Sequence, residues 1–100
     1  MEKTTITLDH GIYGKPQVTA YAKGGLAVHR RSGSGGWAVT HIATGLAVAG
    51  SPRYFATKAR AVEVMAKLLA LPVEWHKSFD DMRQSFTANA AAIRAAAFSA

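Results

Sequence analysis

The chain has 100 residues, twelve Lys and Arg against six Asp and Glu, a net charge of +6 and no cysteine. That length supports one domain, residues 1–100, with a single modest core. The absence of cysteine excludes a disulfide framework and thiolate metal sites. No signal-peptide pattern or run of about 18 apolar residues is found, so a soluble, cytoplasmic protein with no membrane partner is expected.

Charge is distributed unevenly. No acid occurs between Asp9 and Glu63, whereas Lys15, Lys23, Arg30, Arg31, Arg53, Lys58 and Arg60 all fall there. An uncompensated positive field of that kind attracts polyanions.

In chain order, Thr4, Ile6 and Leu8 alternate with Thr5 and Thr7, the period of a half-buried edge strand. Gly11 to Pro16 reads as a connection. Gln17 to Ala22 alternates again, and Lys23-Gly24-Gly25 reads as a three-residue hairpin turn. Segments Leu26 to Arg31 and Trp37 to Ala43 flank a glycine loop, Ser32 to Gly36, and a Thr44-Gly45 turn leads to Leu46-Ala47-Val48-Ala49.

Pairing that keeps large apolar residues together sets Ala22 opposite Leu26, Val28 opposite Val39, Arg30 opposite Trp37 and Ala43 opposite Leu46. The expected core face holds Val18, Ala20, Ala22, Leu26, Val28, Trp37, Val39, Leu46 and Val48. The other face, Gln17, Thr19, Tyr21, Ala27, His29, Arg31, Ala38 and Thr40 with Ile42, is expected to meet solvent or a ligand.

A helix is predicted over 57–71, capped by Thr57 and stopped by Pro72, with Ala61, Val62, Met65, Leu68 and Leu69 on its apolar stripe. A second is predicted over 78–98, opened by the capping box Ser78-Phe79-Asp80-Asp81, with Phe79, Met82, Phe86, Ala90, Ile93 and Ala97 in line. Its alanine-rich end has two expected uses: packing on the domain, or homodimerisation through a copy of itself. The fold class is therefore α+β: an antiparallel sheet of three to five strands within 3–49, one face covered by a helix, plus a C-terminal Ala-rich helix.

Catalytic chemistry finds little support. His10, His29, His41 and His76 have no metal-ligand spacing, and His41 reads as a satisfied core imidazole. Asp80 and Asp81 are explained by a helix start. Gly33, Gly35 and Gly36 are not followed by the Lys-Ser or Lys-Thr of a phosphate loop. The expectation is a non-enzymatic protein with no cofactor and no metal.

Recognition remains. The first reading is nucleic-acid binding, duplex DNA before single strands, through Tyr21, Lys23, His29, Arg30, Arg31, Arg53 and Lys58. The alternative is a phage or mobile-element protein, of anti-CRISPR or other counter-defence type, that inhibits a host complex by binding an acidic host protein surface. Its anchors would be Tyr54, Phe55 and Trp75.

Overall fold

The computed structural model describes residues 1–9, 11–30, 35–48 and 55–98, with side chains to residue 96. Five antiparallel strands follow in sequence order across one sheet: β1 (Glu2–Thr7), β2 (Gln17–Lys23), β3 (Leu26–Arg30), β4 (Trp37–His41) and β5 (Leu46–Ala47). A 3-10 turn, Gly11–Tyr13, lies between β1 and β2. Three helices complete the chain: α1 (Lys58–Leu69), α2 (Phe79–Ala88) and α3 (Ala90–Phe98). The class is α+β, as the sequence predicts, and among the described residues no helix is long and apolar enough to cross a membrane.

Helix α1 forms where the sequence places it. Thr57 is extended, with φ −130° and ψ 157°, and its hydroxyl accepts from the Arg60 N–H at 3.2 Å. Ala61, Val64, Met65 and Leu68 are buried, while Val62 and Leu69 are half-buried at the stripe's margins. The stripe packs on β3 and β4, where Leu26, Val28 and Val39 supply the facing side chains. Each fully buried Leu or Met contributes about 1.5–3 kcal/mol, so this layer supplies most of the apolar burial.

The register differs from the expectation at two turns. Between β2 and β3 the turn has two residues, Gly24 and Gly25, with φ of 61° and 93°, which sets Lys23 opposite Leu26 and Ala22 opposite Ala27. Paired positive φ is the geometry of a type I′ hairpin, whose twist matches that of the strands. Strand β2 is thereby inverted: Val18, Ala20 and Ala22 leave the helix-covered face, and Tyr21 and Lys23 join it. Between β4 and β5 the turn spans Ile42 to Gly45, so His41 rather than Ala43 lies opposite Leu46. The predicted pairs Val28 with Val39 and Arg30 with Trp37 are observed.

The face expected to be open is instead closed by curvature. The Asp9 N–H donates to the Gly45 carbonyl at 2.9 Å, drawing the end of the first hairpin strand to the β4–β5 turn. Ile6 and Leu8 thus pack with Ala20 and Ala27 in a second cluster, edged by Val18, Ala22 and Ile42. Alanines permit this tight curl because they demand little depth. Ala38 and Thr40 are buried on the same side.

The C-terminal segment is two helices rather than one. Ser78 caps α2 by accepting from the Asp81 N–H, and Asn89 (φ −111°, ψ 15°) separates α2 from α3. The Asn89 side-chain amide donates to the Ser85 carbonyl at 2.8 Å, a local bond that competes with helix continuation. Met82, Ile93 and Ala96 enter the main core and α3 packs on α1, so the Ala-rich helix docks within its own chain. Phe79 and Ala90, expected on the apolar line, are exposed.

Candidate nucleic-acid interface

Helix α1 packs on β3 and β4, and on the same side of the sheet only its Lys58, among the described residues, is seen to reach the β1–β2 hairpin, over Tyr21. The register aligns Lys3 with Tyr21, Thr5 with Thr19, and Thr7 with Gln17, and Lys23 follows at the end of β2. All are exposed except Tyr21, which is half-buried. The hairpin therefore presents a two-stranded ribbon of hydroxyls, an amide and lysines.

The first turn of α1 borders this ribbon. The Lys58 ammonium lies 3.6 Å from the centre of the Tyr21 ring and 5.9 Å from that of Trp37. Arg30, exposed at the end of β3, stands opposite Trp37. Exposed Arg60 adds a second cation to a first turn that contains no acid. Cations oppose the positive end of a helix dipole, at a cost of about 0.3–1 kcal/mol each, so their presence here concentrates positive potential rather than stability.

Two cations of the helical half are compensated. Lys67 pairs with Glu63 at 3.7 Å, and Lys77 with Glu74 at 2.6 Å. The hydrogen bond and negative charge of Glu74 raise the Lys77 pKa above its ordinary value. Among the described residues, Lys3, Lys23, Arg30, Lys58 and Arg60 have no carboxylate partner, and neither do Lys15 beyond the ribbon nor Arg83 and Arg94 on α2 and α3.

The predicted binding residues thus divide. Tyr21, Lys23, Arg30 and Lys58 share one side of the sheet, brought there by the two-residue Gly24-Gly25 turn. His29 is only 4% exposed and lies on the opposite, curled face, so it is withdrawn from any surface. Its Nδ1 donates to the Arg30 carbonyl at 3.2 Å, and its Nε2 lies 2.7 Å from the Thr40 hydroxyl. Arg31 and Arg53 lie outside the described residues. Lys3 and Thr5 are members that the sequence reading missed, whereas Thr19 was already expected on the ligand face. The signal for them was present, since Gly24-Gly25 between alternating segments marks a two-residue hairpin and fixes which side Lys3 shares.

Two of the three alternative partner anchors, Trp75 and Phe55, pack in or against the main core. Trp75 is 2% exposed, with its indole N–H donating to the Leu68 carbonyl at 3.0 Å and its ring edge-on to Phe86 at 5.9 Å. Phe55 is half-buried and exchanges backbone bonds of 2.6 and 2.7 Å with Trp37. Both serve the core because they flank helix ends where the apolar layer would otherwise open. Tyr54 lies outside the described residues.

His41 is the buried, satisfied imidazole the sequence suggests. Its Nε2 donates to the Trp75 and Lys77 carbonyls at 2.8 and 3.1 Å, and its Nδ1 lies 2.9 Å from the Thr44 hydroxyl. It ties the segment before α2 to the sheet. Beside it a small apolar cleft of about 90 Å³ is lined by Leu46, Val48, Trp75, Phe79, Met82 and Phe86, among others. Among the described residues no group of three His, Cys, Asp or Glu side chains could hold a metal. Comparison with protein-family models, with curated proteins and with solved structures returned no match.

Proposed function

We propose that the protein is a non-enzymatic nucleic-acid-binding protein, acting in the cytoplasm on duplex DNA through the exposed β1–β2 ribbon and the first turn of α1. The observation that carries this reading is the segregation of charge. Among the described residues, Lys3, Lys23 and Arg30 share one side of the sheet with Lys58, none with a carboxylate partner, and Arg60 adds a cation in the same first turn of α1, while four of the six acids fall between Glu63 and Asp81.

The chemistry of the ribbon suits a phosphate backbone. Lysines supply charge, and the exposed hydroxyls of Thr5, Thr7 and Thr19 can donate to phosphate oxygens. A two-stranded ribbon also has the width that the major groove of B-DNA admits, about 12 Å. Duplex is favoured over single strands because Tyr21, already capped by Lys58, offers no free stacking platform on the ribbon face itself.

Amide shift mapping tests this assignment. Addition of a duplex of roughly 15 base pairs, longer than one turn of B-DNA, should perturb β1, β2, Arg30 and the first turn of α1 while leaving α2 and α3 unmoved. Perturbations confined to the helices would contradict it.

A second reading, inhibition of a host complex by a phage or mobile-element protein, draws support from a different place than Tyr54, Phe55 and Trp75. Leu46 and Phe79 are 50% and 41% exposed at the rim of the apolar cleft. In that reading they are the anchors, and Leu46→Ala would abolish capture of the partner.

A further inference from the structure

Beyond the ribbon face, the tip of the same hairpin carries the most exposed large apolar side chains among the described residues. Ile12 is 93% exposed and Tyr13 85%, against 56% for Met1, 50% for Leu46 and 41% for Phe79. A single exposed apolar side chain needs no explanation, but two adjacent ones at a projecting tip mark an interaction site.

The tip is held in place by the chain around it. Its stem is closed by the Leu8 N–H donating to the Pro16 carbonyl at 2.8 Å, and by the bond from Asp9 to Gly45. Within it, the Asp9 carboxylate accepts from the Gly11 N–H at 2.9 Å, and the Gly14 N–H donates to the Gly11 carbonyl at 3.2 Å. Gly11 and Gly14 bracket the pair with φ of 61° and 100°. With so much of Ile12 and Tyr13 exposed, their contribution to folding is small. The described backbone on either side of them is nonetheless held by these four hydrogen bonds.

What surrounds the tip indicates its occupant. It continues the ribbon of Lys3, Thr5, Thr7, Gln17, Thr19 and Tyr21, and exposed Lys15 follows it directly. Asp9, the acid nearest the tip, has its carboxylate engaged by the Gly11 N–H. A polyanion lying along the ribbon would bring its bases to Ile12 and Tyr13. An aliphatic wedge and a phenol ring are suited to the faces of bases, and apolar wedges that part base steps recur among proteins that deform duplex DNA.

We propose that Ile12 and Tyr13 form a wedge that enters between nucleobases, so that the ligand of the ribbon is nucleic acid unstacked at one point. This rests on the ribbon's binding nucleic acid. The class of ligand it selects is a duplex easily opened at one step, such as one with a pyrimidine–purine step or a mismatch.

The test uses duplexes carrying 2-aminopurine at successive positions, titrated with wild type, with an Ile12→Ala/Tyr13→Ala variant and with a Lys3→Ala/Lys23→Ala variant. All four residues are exposed, and the melting temperature of each variant, expected to match wild type, confirms folding. Wild type should raise 2-aminopurine fluorescence at one position. The tip variant should lose that rise and bind on the order of tenfold more weakly, with an unchanged salt slope. The lysine variant should keep the rise and show a shallower slope. A tip variant that binds and unstacks like wild type overturns the proposal and leaves the ribbon reading intact. A loss of affinity with no fluorescence rise in wild type also overturns it. Failure of wild type to bind any duplex at low salt overturns both.

Discussion

The two halves of the sheet are built from different materials for different ends. Strands β3 and β4 present Leu26, Val28 and Val39 to α1, where Val64, Met65 and Leu68 seal them from water. On the same side, β1 and β2 present Lys3, Thr5, Thr7, Gln17, Thr19 and Lys23, all exposed. The hairpin does contribute to stability, but from its reverse side, through Ile6, Leu8 and Ala20. A strand pair anchored by one face leaves the other free for recognition. The contrast makes a clear claim: substitutions in the covered half should change stability, and those on the ribbon should change binding alone.

The largest effect is expected at Leu68, which is fully buried between α1 and the sheet. Leu68→Ala should lower unfolding free energy by about 2–5 kcal/mol in a denaturant titration, through lost transfer energy and a residual cavity. Gly25→Ala should cost about 1–3 kcal/mol, because a Cβ there would strike the Trp75 carbonyl and φ is +93°. His41→Phe should cost about 1–3 kcal/mol by orphaning the carbonyls of Trp75 and Lys77. A wild-type melting curve for any of these three variants would dissolve the distinction drawn for the covered half.

On the ribbon the expectation reverses. Lys3→Ala/Lys23→Ala should leave stability within about 0.5 kcal/mol of wild type, as surface substitutions do. The slope of log affinity against log salt should shrink by roughly 0.9 per phosphate contact removed.

The smallest effect concerns Lys77. Its pKa is raised by the Glu74 hydrogen bond, so the pair contributes while the lysine is protonated in both states. That contribution is fully present below the ordinary lysine value and is lost as pH rises through the raised one. Glu74→Gln should therefore move the Lys77 titration down, measured by NMR, with no detectable change in melting temperature at neutral pH.

The elements governed by local chemistry were legible in the sequence. Thr57 and Ser78 announced the helix starts, the stripe of α1 was right in Ala61, Met65 and Leu68, and His41 was recognisable as a core imidazole. Register across β2 was not legible, and the reason is physical. Assigning Val18, Ala20 and Ala22 to the helix side satisfied the rule that apolar residues share a face, because the rule assumes one buried face. Here both faces of β3 are buried, Leu26 and Val28 in the main core and Ala27 in the second cluster, so the apolar face of β2 could be matched to either. The glycine pair, a local signal, decided the matter where the apolar pattern could not. The same inversion carried Tyr21 to the exposed ribbon beside Lys58, and the curl buried His29. The tip was invisible for a simpler reason: a loop of Gly, Ile and Tyr reads as a connection whether its side chains pack inward or project.

The most direct test of the central claim is a fluorescence anisotropy titration of labelled duplex DNA with wild type and with Lys3→Ala/Lys23→Ala, at about 50 and 200 mM salt. The account predicts tight binding at the lower salt that weakens by roughly a hundredfold at the higher, and a smaller salt dependence in the variant. Absence of binding at 50 mM, or a variant whose affinity and salt slope equal those of wild type, would contradict it.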